Sequence, residues 1–80
     1  MERTQALDVI QNVLAEVLSI DPSLVTEEAR FKEDLKADSL HLFELVMSLE
    51  DQFEISVPEE DLEGVTTVGH AVDLVLAKVG

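Results

Sequence analysis

Ser39 is the residue whose neighbourhood invites chemistry. It stands in Asp38-Ser39-Leu40, where a polar approach (residues 32–37, Lys-Glu-Asp-Leu-Lys-Ala) gives way to an unbroken helical pattern running to Phe53. A serine hydroxyl becomes a nucleophile only when a base takes its proton and a third group orients that base. The sequence offers two histidines, His41 and His70. His41 falls two positions along the predicted helix, about 200° around its axis from Ser39. His70 could approach only through tertiary structure. No Gly-x-Ser-x-Gly turn lifts the hydroxyl out of the chain. These residues argue against an enzyme. They leave Ser39 as a helix-start residue whose hydroxyl satisfies a free backbone N–H, or as a hydroxyl presented for modification.

The surroundings are of one sign. From Ala37 to Ala77 there are ten carboxylates and no Lys or Arg. The carboxylates at 59–63 raise the question of calcium, but they lack the alternating ligands, central Gly and closing Glu of an EF-hand loop. Weak divalent binding to a crowded acidic face is compatible with the pattern, whereas a specific metal site is not expected. His41 and His70 read as surface residues, since no Cys accompanies them and their spacing is not that of metal ligands.

Bulk properties narrow the class further. Eighty residues with 18 acidic and 5 basic side chains carry a formal charge of −13. Such a surface repels nucleic acid and anionic lipid, and favours partners with basic patches. A hydrophobic content of 46% argues against disorder. Residues 1–80 are read as a single domain, and its small core cannot lean on disulfides because there is no Cys. No apolar run approaches the roughly 18 residues that span a bilayer, and Met1-Glu2-Arg3-Thr4-Gln5 lacks the order of a signal peptide. A cytoplasmic monomer is the expectation.

The elements that must position Ser39 are helical. Leu7, Ile10, Leu14 and Val17, widened by Val13 and Leu18, predict a helix over Thr4–Ser19 with Thr4 as cap. Asp21-Pro22-Ser23 ends it. A long connection follows over residues 21–38, in which Leu24, Val25, Phe31 and Leu35 should dip into the core and Thr26-Glu27-Glu28 starts one turn. Connections of that length are uncommon and are often functional. The second helix runs over Ser39–Phe53 with Leu42, Val46, Leu49 and Phe53 as its core stripe and Leu45 at the edge. Residues 54–57 cross over as a loop. Pro58–Glu63 reads as a short third helix with Pro at its first position, acidic residues in its first turn and Gly64 at the exit. Thr67–Val79 is the last helix, capped by Thr66 or Thr67, with Val68, Val72, Val75 and Val79 inward and Lys78 near its C-terminus. The expectation is an all-α four-helix bundle, three longer helices and one short, with a long first loop.

One face of the second helix differs from its core stripe. Leu40 and Met47 project near Glu44 and Asp51, away from the core, and Phe43 lies between the two groups. An apolar pair flanked by carboxylates suits docking of the helix onto a basic groove, and the flexible thioether of Met47 suits varied partners. Ordinary packing against the loop is the plainer alternative for Leu40 and Phe43.

The run Phe31-Lys-Glu-Asp-Leu-Lys-Ala-Asp-Ser-Leu40, followed by Glu44-Leu-Val-Met-Ser-Leu-Glu-Asp-Gln-Phe53, Val57-Pro58 and Thr66-Thr67-Val68, resembles the acyl carrier proteins over nearly the whole chain. The resemblance implies a four-helix bundle between whose helices an acyl chain can slip. It also implies a 4′-phosphopantetheine arm on Ser39, whose thiol holds acyl groups as thioesters. Asp38 is then implied to help the phosphopantetheinyl transferase and its Mg²⁺ act on the Ser. Leu40, Glu44, Met47, Glu50 and Asp51 become the surface read by acyl-processing enzymes with basic docking patches. Two positions depart from the pattern. Lys36 replaces a common Gly, and is strained if the turn needs positive φ. His41 stands where an acidic residue is frequent. The resulting expectation is a stand-alone, non-catalytic carrier in fatty acid biosynthesis. The alternatives are a dedicated carrier for a polyketide or specialised lipid pathway and, from another class, an acidic helical adaptor that carries no prosthetic group.

Overall fold

The computed structural model describes residues 2–79. Its elements are α1 (Arg3–Leu18), a 3-10 turn (Pro22–Leu24), α2 (Ser39–Phe53), α3 (Glu59–Leu62) and α4 (Val68–Val79). Three longer helices and one short one form the bundle, and no strand occurs among the described residues; Arg30 and Thr67 make one isolated antiparallel bridge.

Helix α1 begins earlier than its apolar spacing predicts. Its cap is Glu2 rather than Thr4. The Gln5 side chain accepts the Glu2 N–H at 3.1 Å, reaching back over the first turn. Ser19 closes the helix in the left-handed region at φ 57°, and Ile20 N–H donates to the Ala15 carbonyl at 3.0 Å. Ala6, Ile10, Val13 and Leu14 are its buried face, with Leu7, Val17 and Leu18 packed at the margin. They meet Val68, Ala71, Val72 and Val75 of α4 in the same core.

The long connection is tied down by backbone bonds. Asp21 accepts from Ser23 N–H at 2.9 Å and caps the 3-10 turn. Of the two residues expected to dip inward there, only Val25 does. Leu24 is 59% exposed, because the turn that buries Val25 swings its predecessor outward. Gln11 Nε2 donates to the Val25 carbonyl at 2.7 Å. Thr26 opens a single turn closed by Ala29 N–H at 3.1 Å. Phe31 and Leu35 are buried, as their spacing predicts. The strap is then stitched to the start of α4. Phe31 N–H donates to Thr66 O at 3.1 Å, Val68 N–H to Ala29 O at 3.0 Å and Gly69 N–H to Glu27 O at 2.9 Å. The approach is close at Gly69, where a Cβ would stand 3.2 Å from the Glu27 carbonyl oxygen.

In α2 the most buried residues are Leu45, Val46 and Leu49, while Leu42 and Phe53 are half-buried. The inward axis is therefore turned from the predicted Leu42 line toward Leu45, because Leu42 faces the less completely filled space beside α3. Helix α3 is one residue shorter at each end than Pro58–Glu63. Pro58 is its cap with extended backbone, and Glu63 follows it. The exit at Gly64 has no positive φ; Val65 N–H closes it onto Leu62 O at 3.0 Å. Thr67 caps α4, its Oγ1 accepting from His70 N–H at 3.2 Å. Lys78 reaches Asp61 of α3 at 2.8 Å.

Candidate functional site

The start of α2 is fixed by a reciprocal cap. Asp38 Oδ1 accepts the His41 N–H at 3.0 Å, and His41 Nδ1 accepts the Asp38 N–H at 3.3 Å. The His41 N–H, aided by the nearby imidazole and the Leu40 N–H, holds the exposed Asp38 carboxyl below its ordinary value of 3.8. The cap residue is thus Asp38, and Ser39 is the first residue inside the helix. Among the described residues its hydroxyl makes no hydrogen bond, so the plain helix-start role belongs to its neighbour.

The approach to this cap is strained. Lys36 sits at φ 59°, the left-handed region that costs a side-chain-bearing residue about 1–2 kcal/mol. The turn that the resemblance associates with Gly is therefore present here with Lys in it. Ala37 N–H to Phe31 O at 2.7 Å closes the loop over the buried Phe31 and Leu35, and this closure sustains the strained residue.

Ser39 opens onto a cleft of about 520 Å³ between α2 and α3, walled by Leu42, Phe43, Val46, Val57 and Leu62. Behind that wall lies a smaller apolar pocket of about 40 Å³, which reaches Leu45 and Leu49 of α2 and Val75 of α4. On the outer face of α2, Leu40, Phe43 and Met47 are 64%, 60% and 54% exposed, so packing against the loop does not claim them. Glu44 and Asp51 are exposed beside them. Glu50 is half-buried and differs in this from Glu44 and Asp51. One of its carboxylate oxygens accepts the Val57 N–H at 2.9 Å and ties α2 to the crossing loop.

The histidines are the functional groups that their residue type alone did not place. His70 is exposed and His41 half-buried, and each is engaged at a helix start. His41 completes the α2 cap, and His70 Nδ1 accepts the Thr66 N–H at 3.2 Å at the head of α4. A signal was available for His41, an acceptor three residues after an Asp cap. His41 and His70 belong to different helix starts and neither bonds to Ser39. Among the described residues no three His, Asp or Glu converge on a point that would hold a metal, and no helix is long and apolar enough to cross a membrane.

An arm attached at Ser39 fits this geometry: the hydroxyl is exposed, unbonded, on the first turn of a 15-residue helix and open to an apolar cleft. Comparison with known proteins identifies the family. The family described as the phosphopantetheine attachment site matches residues 8–75. An acyl carrier protein of Rubrobacter xylanophilus is 50% identical over 76 residues, covering 95% of this chain and 94% of the relative. An acyl carrier protein of Saccharopolyspora erythraea is 47% identical over 76 residues, covering 95% of this chain and 80% of the relative. The solved acyl carrier protein of Enterococcus faecalis superposes with a TM-score of 0.79 at 35% identity, covering 98% of this chain and 99% of its own. The chain belongs to the acyl carrier proteins, the non-catalytic family that bears a covalent 4′-phosphopantetheine.

Proposed function

We propose that residues 1–80 act as one carrier domain, with the 4′-phosphopantetheine on Ser39 Oγ, and that it carries the intermediates of fatty acid biosynthesis. The observation that supports Ser39 most directly is the division of labour at the head of α2. Asp38 and His41 satisfy the cap between them and leave the Ser39 hydroxyl exposed and unbonded beside the cleft. When attached, the arm supplies a thiol that holds acyl groups as thioesters. The chain's own residues orient it. The first turn of α2 fixes the attachment point, its positive end favours the phosphodiester, and the apolar walls of Phe43, Val46 and Leu62 receive carbon chains.

Asp38 is assigned to the encounter with the phosphopantetheinyl transferase. Its carboxyl is held below its ordinary value, first by the His41 N–H, and it stands next to Ser39, where it would help hold a transferase-bound Mg²⁺. Leu40, Glu44, Met47 and Asp51, with the outer oxygen of Glu50, form the face that successive acyl-processing enzymes read through basic patches. Charge speeds encounter, and a modest apolar contact permits rapid release, which a carrier visiting several enzymes needs. The assignment is to a cytoplasmic monomer that binds neither nucleic acid nor membrane, in keeping with a charge of −13.

The test is intact mass before and after incubation with coenzyme A, Mg²⁺ and a broad-specificity phosphopantetheinyl transferase. The wild type is expected to gain one phosphopantetheine and Ser39→Ala none. Addition to the variant, or none to verified unmodified wild type beside a working control carrier, would overturn the assignment to Ser39. Reconstitution with fatty acid synthase enzymes then tests the pathway, and elongation no faster than background would favour a dedicated polyketide or specialised lipid role.

A further inference from the structure

The chain sets five basic side chains against 18 acidic ones. Three of the five are committed. Arg3 joins Glu27 and Asp73, Arg30 joins Glu33, and Lys78 joins Asp61. Among the described residues, Lys32 and Lys36 meet no carboxylate within ion-pair distance. Both belong to the loop that delivers Ser39, and only Lys32 borders the cleft of about 520 Å³ onto which Ser39 opens. The other charged residues around that cleft are Glu50, Glu59 and Glu63, so among the described residues Lys32 is its one cation.

The backbone is held on both sides of Lys32. Phe31 before it is buried, donates its N–H to Thr66 O at 3.1 Å and accepts from Ala37 N–H at 2.7 Å. After it, Asp34 N–H and Leu35 N–H both donate to the Arg30 carbonyl, at 2.9 and 3.0 Å. The root of the side chain is therefore fixed, while its flexible stem lets the exposed ammonium range. Charge around Ser39 is otherwise unfavourable to an anion. Asp38 places like charge beside the attachment point and already takes the His41 N–H, one of the free donors of the α2 start. A phosphodiester on Ser39 adds a full negative charge at the edge of a cleft bordered by three carboxylates. The end of α2 answers that charge in part, and Lys32 is the one side chain of the cleft that can answer the rest.

We propose that Lys32 is a positioning residue for the prosthetic arm: its ammonium pairs with the phosphodiester on Ser39 and so biases the direction in which the arm leaves α2. The proposal rests on Ser39 as the attachment point. A lysine suits the task because its ammonium is a compact charge with three donors, which meets a phosphate oxygen without demanding one fixed geometry. The pair is exposed, so it favours the paired arrangement by about two- to fivefold and does not lock it. A carrier needs that balance, since each enzyme it visits must be able to draw the arm away. Lys36 carries the same charge in the same loop but does not border the cleft, which makes it the matched control.

The experiment attaches phosphopantetheine to the full chain with coenzyme A and the transferase, and reads the product by NMR. At low salt a nuclear Overhauser cross-peak is expected between the Lys32 ε-protons and the arm's methylene protons beside the phosphorus. In about 1 M salt, where charges are screened beyond about 3 Å, that peak should weaken about two- to fivefold. The phosphorus resonance of the arm should move with salt in the wild type and in Lys32→Arg, and lose most of that movement in Lys32→Gln. Lys36→Gln, which removes the same charge from the same loop, should keep it. No cross-peak at low salt, or one that salt leaves unchanged, would overturn the ion pair. A phosphorus response that survives in Lys32→Gln would do the same, as would an equal loss in Lys36→Gln, which would show the charge of the whole loop at work. A loss that Lys32→Arg does not restore would reduce Lys32 to a structural contact. Failure of the wild type to take up the arm, beside a control carrier that does, would instead overturn the attachment at Ser39.

Discussion

The α1–α4 flank and the α2–α3 flank of this protein are made from similar apolar residues but finished differently. On the first, Ile10, Leu14, Val72 and Val75 are almost entirely withdrawn from solvent. Arg3 of α1 reaches across to Glu27 of the strap and Asp73 of α4, and Glu27 foremost, then Asp73, hold its guanidinium well above the ordinary arginine value. On the second flank Leu40, Phe43 and Met47 stand exposed, α3 is one turn, and the spaces around Leu42 and Leu62 are left unfilled. A chain of this size buries only about 60% of the surface its unfolded form exposes, and the margin left over is small. It can leave one flank loose only because the other is closed. The difference separates holding the fold together from handling a visitor.

The sharpest way to break that comparison is to delete the same kind of contact on each side. Leu14→Ala is expected to cost about 2–5 kcal/mol in urea unfolding, and Met47→Ala to stay within about 0.5 kcal/mol. Equal costs would mean that the flanks are not divided in this way. Next in size is the charge of the open face. Glu44→Lys with Asp51→Lys should slow transfer by cognate enzymes at least about tenfold and flatten its salt dependence. Because the change relieves self-repulsion in a chain of charge −13, the melting temperature should not fall. Unchanged transfer kinetics would put the partner face elsewhere.

Smaller effects probe the loop that delivers Ser39. Lys36→Gly removes left-handed strain of about 1–2 kcal/mol and returns part of it as unfolded-state freedom. A net gain of about 0.5–1 kcal/mol is expected, read as a rise of a few degrees in melting temperature. A loss would show that the lysine side chain contributes a contact worth more than the strain. The smallest expected effect is the acid limb of stability at the α2 cap. The folded Asp38 carboxyl lies below 3.8, so its contribution is present above that value and is lost as pH falls through the depressed folded value. Asp38→Asn keeps a capping oxygen but cannot titrate. The difference in unfolding midpoint between wild type and variant should therefore vary with pH only at and below about pH 4. A difference that does not vary with pH there would mean that the cap is indifferent to charge.

Much of this architecture is legible without coordinates. The period of Ile10, Val13 and Leu14, the Pro at 22, the Thr pair at 66–67 and the run from Leu42 to Phe53 each report a local preference that the fold keeps. Where the reading shifted, the competing influence was tertiary. Thr4 is a good cap residue, but the helix starts after Glu2, whose N–H is held by the Gln5 side chain. Leu24 has the hydrophobicity to be buried, but the 3-10 turn spent its inward position on Val25. Leu42 sits on the helical stripe, but its neighbours left a cleft there.

Composition and spacing alone determined that this chain is acidic, helical and built to present Ser39 at a helix start, because charge, period and capping preference are properties of neighbouring residues. The tertiary structure decided that Asp38 and His41 share the cap and leave the hydroxyl free, that Glu50 spends half its carboxylate on the crossing loop, and that Lys78 is bound to Asp61. It also decided where the bundle stays hollow. These outcomes depend on which groups arrive beside one another once the helices pack, and no local preference specifies the distance between residues that meet only then.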